Sequence, residues 1–495
     1  MSPLESAVLG LYFLTLVILA VFGLHRYVMV FLYFRHRSRR ALPAAPPERL
    51  PRVTVQLPIY NEMYVVERLL DSVCGIDYPK ELLEIQLLDD STDETRTIAT
   101  SAVERYRAQG LDIHYLHRNH RHGFKAGALD EGLQVATGEF ILIFDADFIA
   151  PADILQKTLG HFSDPRVGMV QVRWGHVNRD FSLLTQVQSV LLDGHFILEH
   201  GGRNRSGRFF NFNGTAGIWR RETIADAGGW QHDTLTEDLD LSYRSQMNGW
   251  RFVFVQDVVS PAEIPVEMNG FKSQQHRWAK GSVQTCKKLL PRILASKLPL
   301  EVKIEAAFHL TANFAYPLMV LLSLLMFPAM VIRYNMGWSE MMVVDVPLFL
   351  GATMSVCSFY LMSQREIFGQ GWRARIWYLP AVLAVGIGLS VNNAKAVLEA
   401  LFGHTSEFKR TPKYRVEAAG DEWKLKRYRG SISFVPFVEL FLGFYFTVTA
   451  CYAITYGIWG TLPFVLLFQF GFLYTGVLSL FQNLGKLAVV GEQEA

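Results

Sequence analysis

Cysteine is scarce in this sequence: four in 495 residues, at positions 74, 286, 357 and 451, with no two at zinc-ligand spacing. A disulfide framework and a cysteine-built metal centre are therefore not expected. An excess of charge of one sign is also missing. Lys and Arg number 48 against 46 Asp and Glu, a net charge of +2, so no global field directs the chain towards nucleic acid. Internal repeats and low-complexity tracts are not evident. No basic residue precedes the first long apolar run, as the leader of a cleaved signal peptide would require.

What is abundant is apolar sequence. Half of the residues are apolar and 13% are aromatic, and the excess is concentrated. Residues 8–34 form a nearly unbroken run of roughly 25 apolar residues, long enough to span a bilayer. RHRSRR at 35–40 follows directly. That charge is expected to stay in the cytoplasm, which places the N-terminus outside. Further apolar stretches occupy 311–332, 343–362, 433–457 and 461–481. The segment 376–402 is ambiguous: Asn392, Asn393, Lys395 and Glu399 interrupt its second half, which suits an amphipathic helix at the interface. If it does not cross, Arg365, Arg373, Arg375 and the basic stretch 403–430 all lie inside. Five spans are expected, with six as the alternative.

Between the first span and the rest, the pattern changes. ALPAAPPERLP at 41–51 is a Pro-rich linker, taken as 41–52. VTVQLPIYN (53–61), LEIQLLDD (83–90), DIHYLHR (112–118) and the run 140–147 read as strands. Helices are expected at 65–76, 94–109 and 126–136. Strands separated by helices imply a parallel sheet in an α/β domain, here 53–300. Helices, membrane-spanning or interfacial, follow over 301–402, then a cytoplasmic loop over 403–430 and spans over 431–495, with the N-terminal helix and basic flank at 1–40.

Ligands of such sheets bind at the carboxyl ends of strands, and acidic residues collect there: Glu62, LLDDSTD (87–93), FDADF (144–148) and, further on, LTEDLD (235–240). Each alone could cap the next helix, as Asp93 and Thr236 could. Together they suggest a site. Asp145 and Asp147 fall on one side of an extended segment and offer a hard divalent cation its oxygen ligands. Asp90 could accept from the imide of a nucleobase. Lys125 could neutralise phosphate as a point charge. Asp238 is the candidate general base for a hydroxyl nucleophile. In QQHRW (274–278), Arg277 offers a planar fork for phosphate and Trp278 a face for a sugar ring.

VQLPIYNE, LLDDSTD, KAGAL, DAD, TED and QQHRW occur in the order and approximate spacing of the inverting family-2 glycosyltransferases. The chain resembles their processive, membrane-bound, cellulose-synthase-like group, closest to the mannan and glucan synthase branch, over about 50–415. The resemblance implies an α/β GT-A (Rossmann-like) domain inserted among transmembrane helices. It implies polymerisation of hexose from UDP-glucose or GDP-mannose into a β-glycan, coupled to export. The alternative is non-processive transfer to a lipid, as in ceramide glucosyltransferases. Tyr60, Glu62 and Asp90 would form the nucleotide wall. Asp145 and Asp147 would handle diphosphate and Mg2+ or Mn2+, with Lys125. Asp238 would be the base, beside Glu237. Gln274, Arg277 and Trp278 would hold the diphosphate and the acceptor end, and Thr215 and Gly217 of FNGTAG would contact the acceptor.

FKRTPK at 408–413 is similar to the FxVTxK gating loop of cellulose synthases, with Arg in place of Val and a stiffening Pro412. Thr411 and Lys413 would close over the diphosphate. A basic loop facing anionic lipid is the other reading. Asn313, Asn392, Asn393, Gln469, Trp377, Tyr445 and Phe446 either line a path for a sugar chain or serve as belts and helix packing. The partners implied are a nucleotide-sugar donor, a growing polysaccharide acceptor, the bilayer and accessory export subunits, in a bacterial inner membrane with the catalytic domain cytoplasmic.

Overall fold

The computed structural model describes residues 1–337, 342–404, 410–418, 420–423, 426 and 433–494. The chain opens on α1 (Pro3–Arg35), which starts at a reciprocal cap. Ser2 Oγ accepts from the Glu5 amide at 3.2 Å and the Glu5 carboxylate accepts from the Ser2 amide at 2.6 Å, with Pro3 filling a position that needs no donor.

The α/β domain follows as β1 (Val53–Ile59), α2 (Val66–Cys74), β2 (Leu83–Asp89), α3 (Thr95–Ala108), β3 (Asp112–His117), α4 (Phe124–Val135), β4 (Phe140–Ile143), α5 (Ile154–Thr158), β5 (Val167–His176), α6 (Leu183–Gly194), a π-helical turn (His195–His200), α7 (Gly201–Arg205), β6 (Gly217–Arg220), α8 (Arg221–Asp226), α9 (Glu237–Met247) and β7 (Arg251–Ala262). The strands form one sheet in the order β3-β2-β1-β4-β6-β5-β7. Strands β1 and β2 are buried along nearly their whole length because apolar layers cover both faces. Val55, Leu57, Leu69 and Leu70 belong to one layer, and Ile141, Ile143, Phe212 and Trp219 to the other.

The expected parallel sheet holds for β1 with β2 and β4, and for β2 with β3. It fails at β6, which runs antiparallel to β4 and β5. That reversal puts the loop before β6 beside the carboxyl end of β4: the Ala216 amide donates to Ile143 O at 2.8 Å. The strand expected over 140–147 ends at Ile143. Asp145 to Phe148 form a turn closed by the Phe148 amide on Asp145 O at 3.1 Å, so the two aspartates do not share an extended segment.

After the sheet come α10 (Met268–Ala295), α11 (Leu300–Thr311), α12 (Ala315–Asn335), α13 (Met342–Phe368), α14 (Leu379–Gly388), α15 (Ser390–Leu401), α16 (Val435–Thr455) and α17 (Leu462–Glu494). Among the described residues, five helical segments are long and apolar enough to cross a membrane: Pro3–Arg35, Leu300–Asn335, Gly351–Leu401, Val435–Thr455 and Leu462–Gln482. The ambiguous stretch resolves into α14 and α15, of 10 and 12 residues, each short of the roughly 20 a span needs. Two of its polar residues turn towards α10. Asn392 donates to Lys272 O at 2.9 Å, and Glu399 accepts from Lys280 at 3.0 Å, so α15 packs along α10. Phe446 is fully buried against Phe468 and Phe472, Tyr445 donates to Leu324 O, and Trp377 is 85% exposed. These aromatics pack helices or face outward.

Candidate active site

The carboxyl ends of β1 and β4 and the N-termini of α4 and α9 meet α10 around one cavity of about 230 Å3. Tyr60, Glu62, Asp90, Lys125, Asp145, Asp147, Glu237, Asp238, Gln274, Arg277, Trp278, Thr411 and Lys413 all line it, although they are spread over more than 350 positions of sequence. Chain order places them there. The connection after each parallel strand leaves from the same edge of the sheet, and α10 crosses that edge.

At one end, Asp90 is gripped by the fork of Arg118, with Nε to Oδ1 at 2.7 Å and Nη2 to Oδ2 at 2.6 Å. The guanidinium of Arg121 stands 3.4 Å from the centre of the Tyr60 ring. Sequence reasoning missed both arginines. The dense run of basic side chains in RNHRHGFK (118–125) was their signal. Glu62 is ion-paired with Arg410 at 2.9 Å, and confinement still pushes its carboxyl up to about 7.

In the centre, each aspartate of the DAD turn holds a lysine. Lys125 Nζ lies 2.5 Å from Asp145 Oδ1, and Lys413 is ion-paired with Asp147. Burial raises the Asp145 carboxyl, with Lys125 opposing. Two carboxylates from one turn suit a hard cation that takes its remaining ligands from water and phosphate. Among the described residues no third acidic, imidazole or thiol ligand joins them.

At the other end, Asp238 lies in the first turn of α9. Confinement, then the neighbouring Glu237, push its carboxyl up to about 7. Glu237 is raised too, chiefly by burial. Capping accounts for Asp93, whose carboxylate accepts from the Thr95 amide at 3.0 Å. It does not account for Thr236, whose hydroxyl pairs with Thr285 of α10. Arg277 lies among Asp145, Glu237, Asp147 and Glu62. Burial lowers it to about 10 against their pull, and its Nη2 donates to Thr411 Oγ1 at 3.1 Å.

From the strap formed by residues 410–418, Arg410, Thr411 and Lys413 line the cavity. Glu263, just past β7, accepts from the amides of Tyr414 and Arg415 at 2.8 and 2.9 Å, a strap contact with no sequence motif to announce it. Phe408 and Lys409 lie outside the described residues. With the strap in place, the cavity is smaller than the roughly 300–1,000 Å3 of drug-sized ligand pockets.

Two expected acceptor residues do not reach the cavity. Thr215 is fully buried and its hydroxyl accepts from the Asp145 amide at 2.8 Å. Gly217 lies within β6, where a Cβ would stand 2.7 Å from the Phe212 ring. Asn213 and Gly214 line the wall instead.

Residues 51–281 match the family described as "Glycosyltransferase like family 2". The chain is 39% identical over 267 residues to glucomannan 4-beta-mannosyltransferase 1 of Cyamopsis tetragonoloba, covering 53% of this chain and 51% of that one. It is 39% identical over 279 residues to the protein of the same name from Oryza sativa subsp. japonica, covering 55% and 53%. To glucomannan 4-beta-mannosyltransferase 2 of Arabidopsis thaliana it is 40% identical over 252 residues, covering 50% and 47%. The matches thus span about half the length of these curated relatives, and their organisms lend no support to a bacterial membrane. A solved mannosyltransferase from Pyrobaculum calidifontis, in complex with GDP-Man and Mn2+, shares the fold: TM-score 0.52, 22% identity, covering 79% of this chain and 100% of that one.

Proposed function

Residues 51–281 are a glycosyltransferase domain of family 2, and from that premise we propose that the chain is a membrane β-hexosyltransferase. It would move a hexosyl unit, mannose or glucose, from GDP-mannose or UDP-glucose to a hydroxyl of a growing β-glycan. The mannosyl reading is favoured by the names of the curated relatives. The observation that carries the proposal is the meeting of the DAD turn, Asp238 and Arg277 around one cavity.

The reaction is a single displacement with inversion. A sugar hydroxyl is a weak nucleophile, and Asp238, poised near neutrality, takes its proton as the new bond forms. Negative charge builds on the leaving diphosphate. Arg277, Lys125 and Lys413, already gathered at the DAD turn, stabilise it. Asp145 and Asp147 would hold Mg2+ or Mn2+, which adds charge neutralisation at the same oxygens. Lys413 would turn from Asp147 to phosphate, with the strap already over the donor. The basic flank after α1 favours a cytoplasmic side for this domain, and the five apolar segments would deliver the polymer across the membrane.

The test is incorporation by purified protein from labelled GDP-mannose and UDP-glucose with Mn2+ or Mg2+, followed by linkage-specific glycanase digestion. A β-linked polymer is expected. Transfer from no donor would overturn the proposal, and a product of one sugar on lipid would overturn its polymerising part.

A further inference from the structure

Between α6 and α7 the helix widens into the π-helical turn His195–His200. In an α-helix, at about 100° per residue, positions five apart point about 140° away from each other. The i to i+5 bonding of a π turn brings them nearly into line. His195 and His200 accordingly face one another, ring centres 4.4 Å apart. The side chain of Asn213 is held between them.

The hydrogen bonds define each role. His195 Nδ1 donates to Glu199 Oε2 at 2.7 Å, leaving Nε2 as a lone pair that accepts from Asn213 Nδ2 at 3.0 Å. His200 Nε2 donates to Asn213 Oδ1 at 2.6 Å and lies 3.0 Å from Asn211 O. Burial first, with the Arg203 charge adding to it, keeps His200 neutral, well below the usual imidazole range. The Asn213 amide also donates to Gln171 Oε1 at 3.1 Å. Both ends of this side chain are therefore fixed, and so is the backbone that follows it.

That backbone is Gly214, with φ of +80°. Its carbonyl accepts from Lys125 Nζ at 2.8 Å. A Cβ here would stand 3.0 Å from Asp238 Oδ2 and 3.3 Å from Lys125 Nζ. The loop thus touches both the base and a diphosphate-stabilising cation, while the histidines do not line the cavity.

We propose that the Glu199–His195–Asn213–His200 bracket is a positioning device for the transfer step, holding Gly214 against Asp238. It rests on the assignment of Asp238 as the base. The histidines and Asn213 act on the geometry of proton removal, not on donor affinity. Loss of the bracket lowers kcat and leaves donor binding in place.

The experiment compares Asn213→Ala, His200→Ala and His200→Gln in the full-length protein. Each is measured for kcat, donor KM, nucleoside-diphosphate affinity and thermal midpoint. Expected for the two alanine variants is a fall in kcat of about 10- to 100-fold, the scale of a small misplacement, with donor KM and diphosphate affinity within about twofold. His200→Gln, which keeps a donor for Asn213, recovers most of the loss. Unchanged kcat in Asn213→Ala would overturn the bracket. So would a loss of diphosphate affinity in step with kcat, because a purely structural part gives that pattern. If His200→Ala does not fold, Asn213→Ala and His200→Gln decide on the same readouts. A wild-type protein that transfers from no donor sinks the assigned activity, whereas an active wild type with an equally active Asn213→Ala sinks the bracket alone.

Discussion

Lys413 is ion-paired with Asp147, the second aspartate of the DAD turn. A divalent metal at Asp147 would therefore compete with this strap cation for one carboxylate. Removing the lysine frees that carboxylate. Lys413→Met is expected to bind Mn2+ without nucleotide about tenfold more tightly than wild type, within the usual range of coupling between sites. It should also lose donor affinity, because the diphosphate loses a cation. Calorimetric titration of Mn2+ with and without GDP checks both. Equal Mn2+ affinity in the two proteins would show that the pair does not gate the metal.

Asp238, pushed up to about 7, makes two pH statements. In the proposed role of base it must be ionised, so kcat is expected to fall as pH drops below about 7, and Asp238→Asn to lose about 10²- to 10⁴-fold. For stability the sign is the reverse of the ordinary salt-bridged carboxylate. The folded state holds this proton more tightly than the unfolded chain, so stability falls as pH rises from about 4 to about 7. Asp238→Asn should melt above wild type at pH 8, with the gap closing in acid. A melting difference that widens in acid would contradict the raised value.

Much of this was readable in the sequence, and the remainder has physical reasons. Strand-end acids such as Asp90 and Asp145 declare themselves because the parallel strands β1, β2 and β4 send their carboxyl ends to one edge. The bracket around Asn213 did not, since a π turn leaves no mark in apolar periodicity. Arg118 and Arg121 carry no motif of their own, and their partners, Asp90 and Tyr60, follow the other strands β2 and β1. Thr215 and Gly217 misled for a related reason: β6 runs antiparallel, which turns them into the sheet and leaves Asn213 and Gly214 at the cavity.

Lys272 and Glu439 form a buried pair at 2.5 Å between α10 and α16, with Ser479 of α17 accepting from the same ammonium at 2.7 Å. The helix that carries Arg277 is thereby bolted to the C-terminal membrane hairpin. Lys272→Met alone strands a buried carboxylate and should cost about 3–5 kcal/mol, whereas the double replacement Lys272→Met with Glu439→Leu should recover most of it. Thermal unfolding in detergent checks this. Additive losses in the double variant would mean that the two charges are not coupled.

Gly281 of α10 faces Thr236, the residue before Glu237 and Asp238. A Cβ at 281 would stand 2.6 Å from Thr236 Cγ2 and 2.9 Å from its backbone nitrogen. Backbone cannot give way as a side-chain tip can, so α9 and α10 must separate by a few tenths of an ångström or more. That separation pulls Asp238 away from Arg277, the proposed base from the proposed diphosphate clamp, and a shift near 1 Å can cost about a hundredfold in rate. Gly281→Ala is expected to lower kcat by at least about tenfold and to lower the melting temperature. Gly386→Ala, within α14 and with nothing inside 4 Å of its Cβ, should be silent in both assays. Steady-state kinetics and melting of the two variants side by side decide it. An active Gly281→Ala would mean that the contact between α9 and α10 does not set the distance between base and clamp.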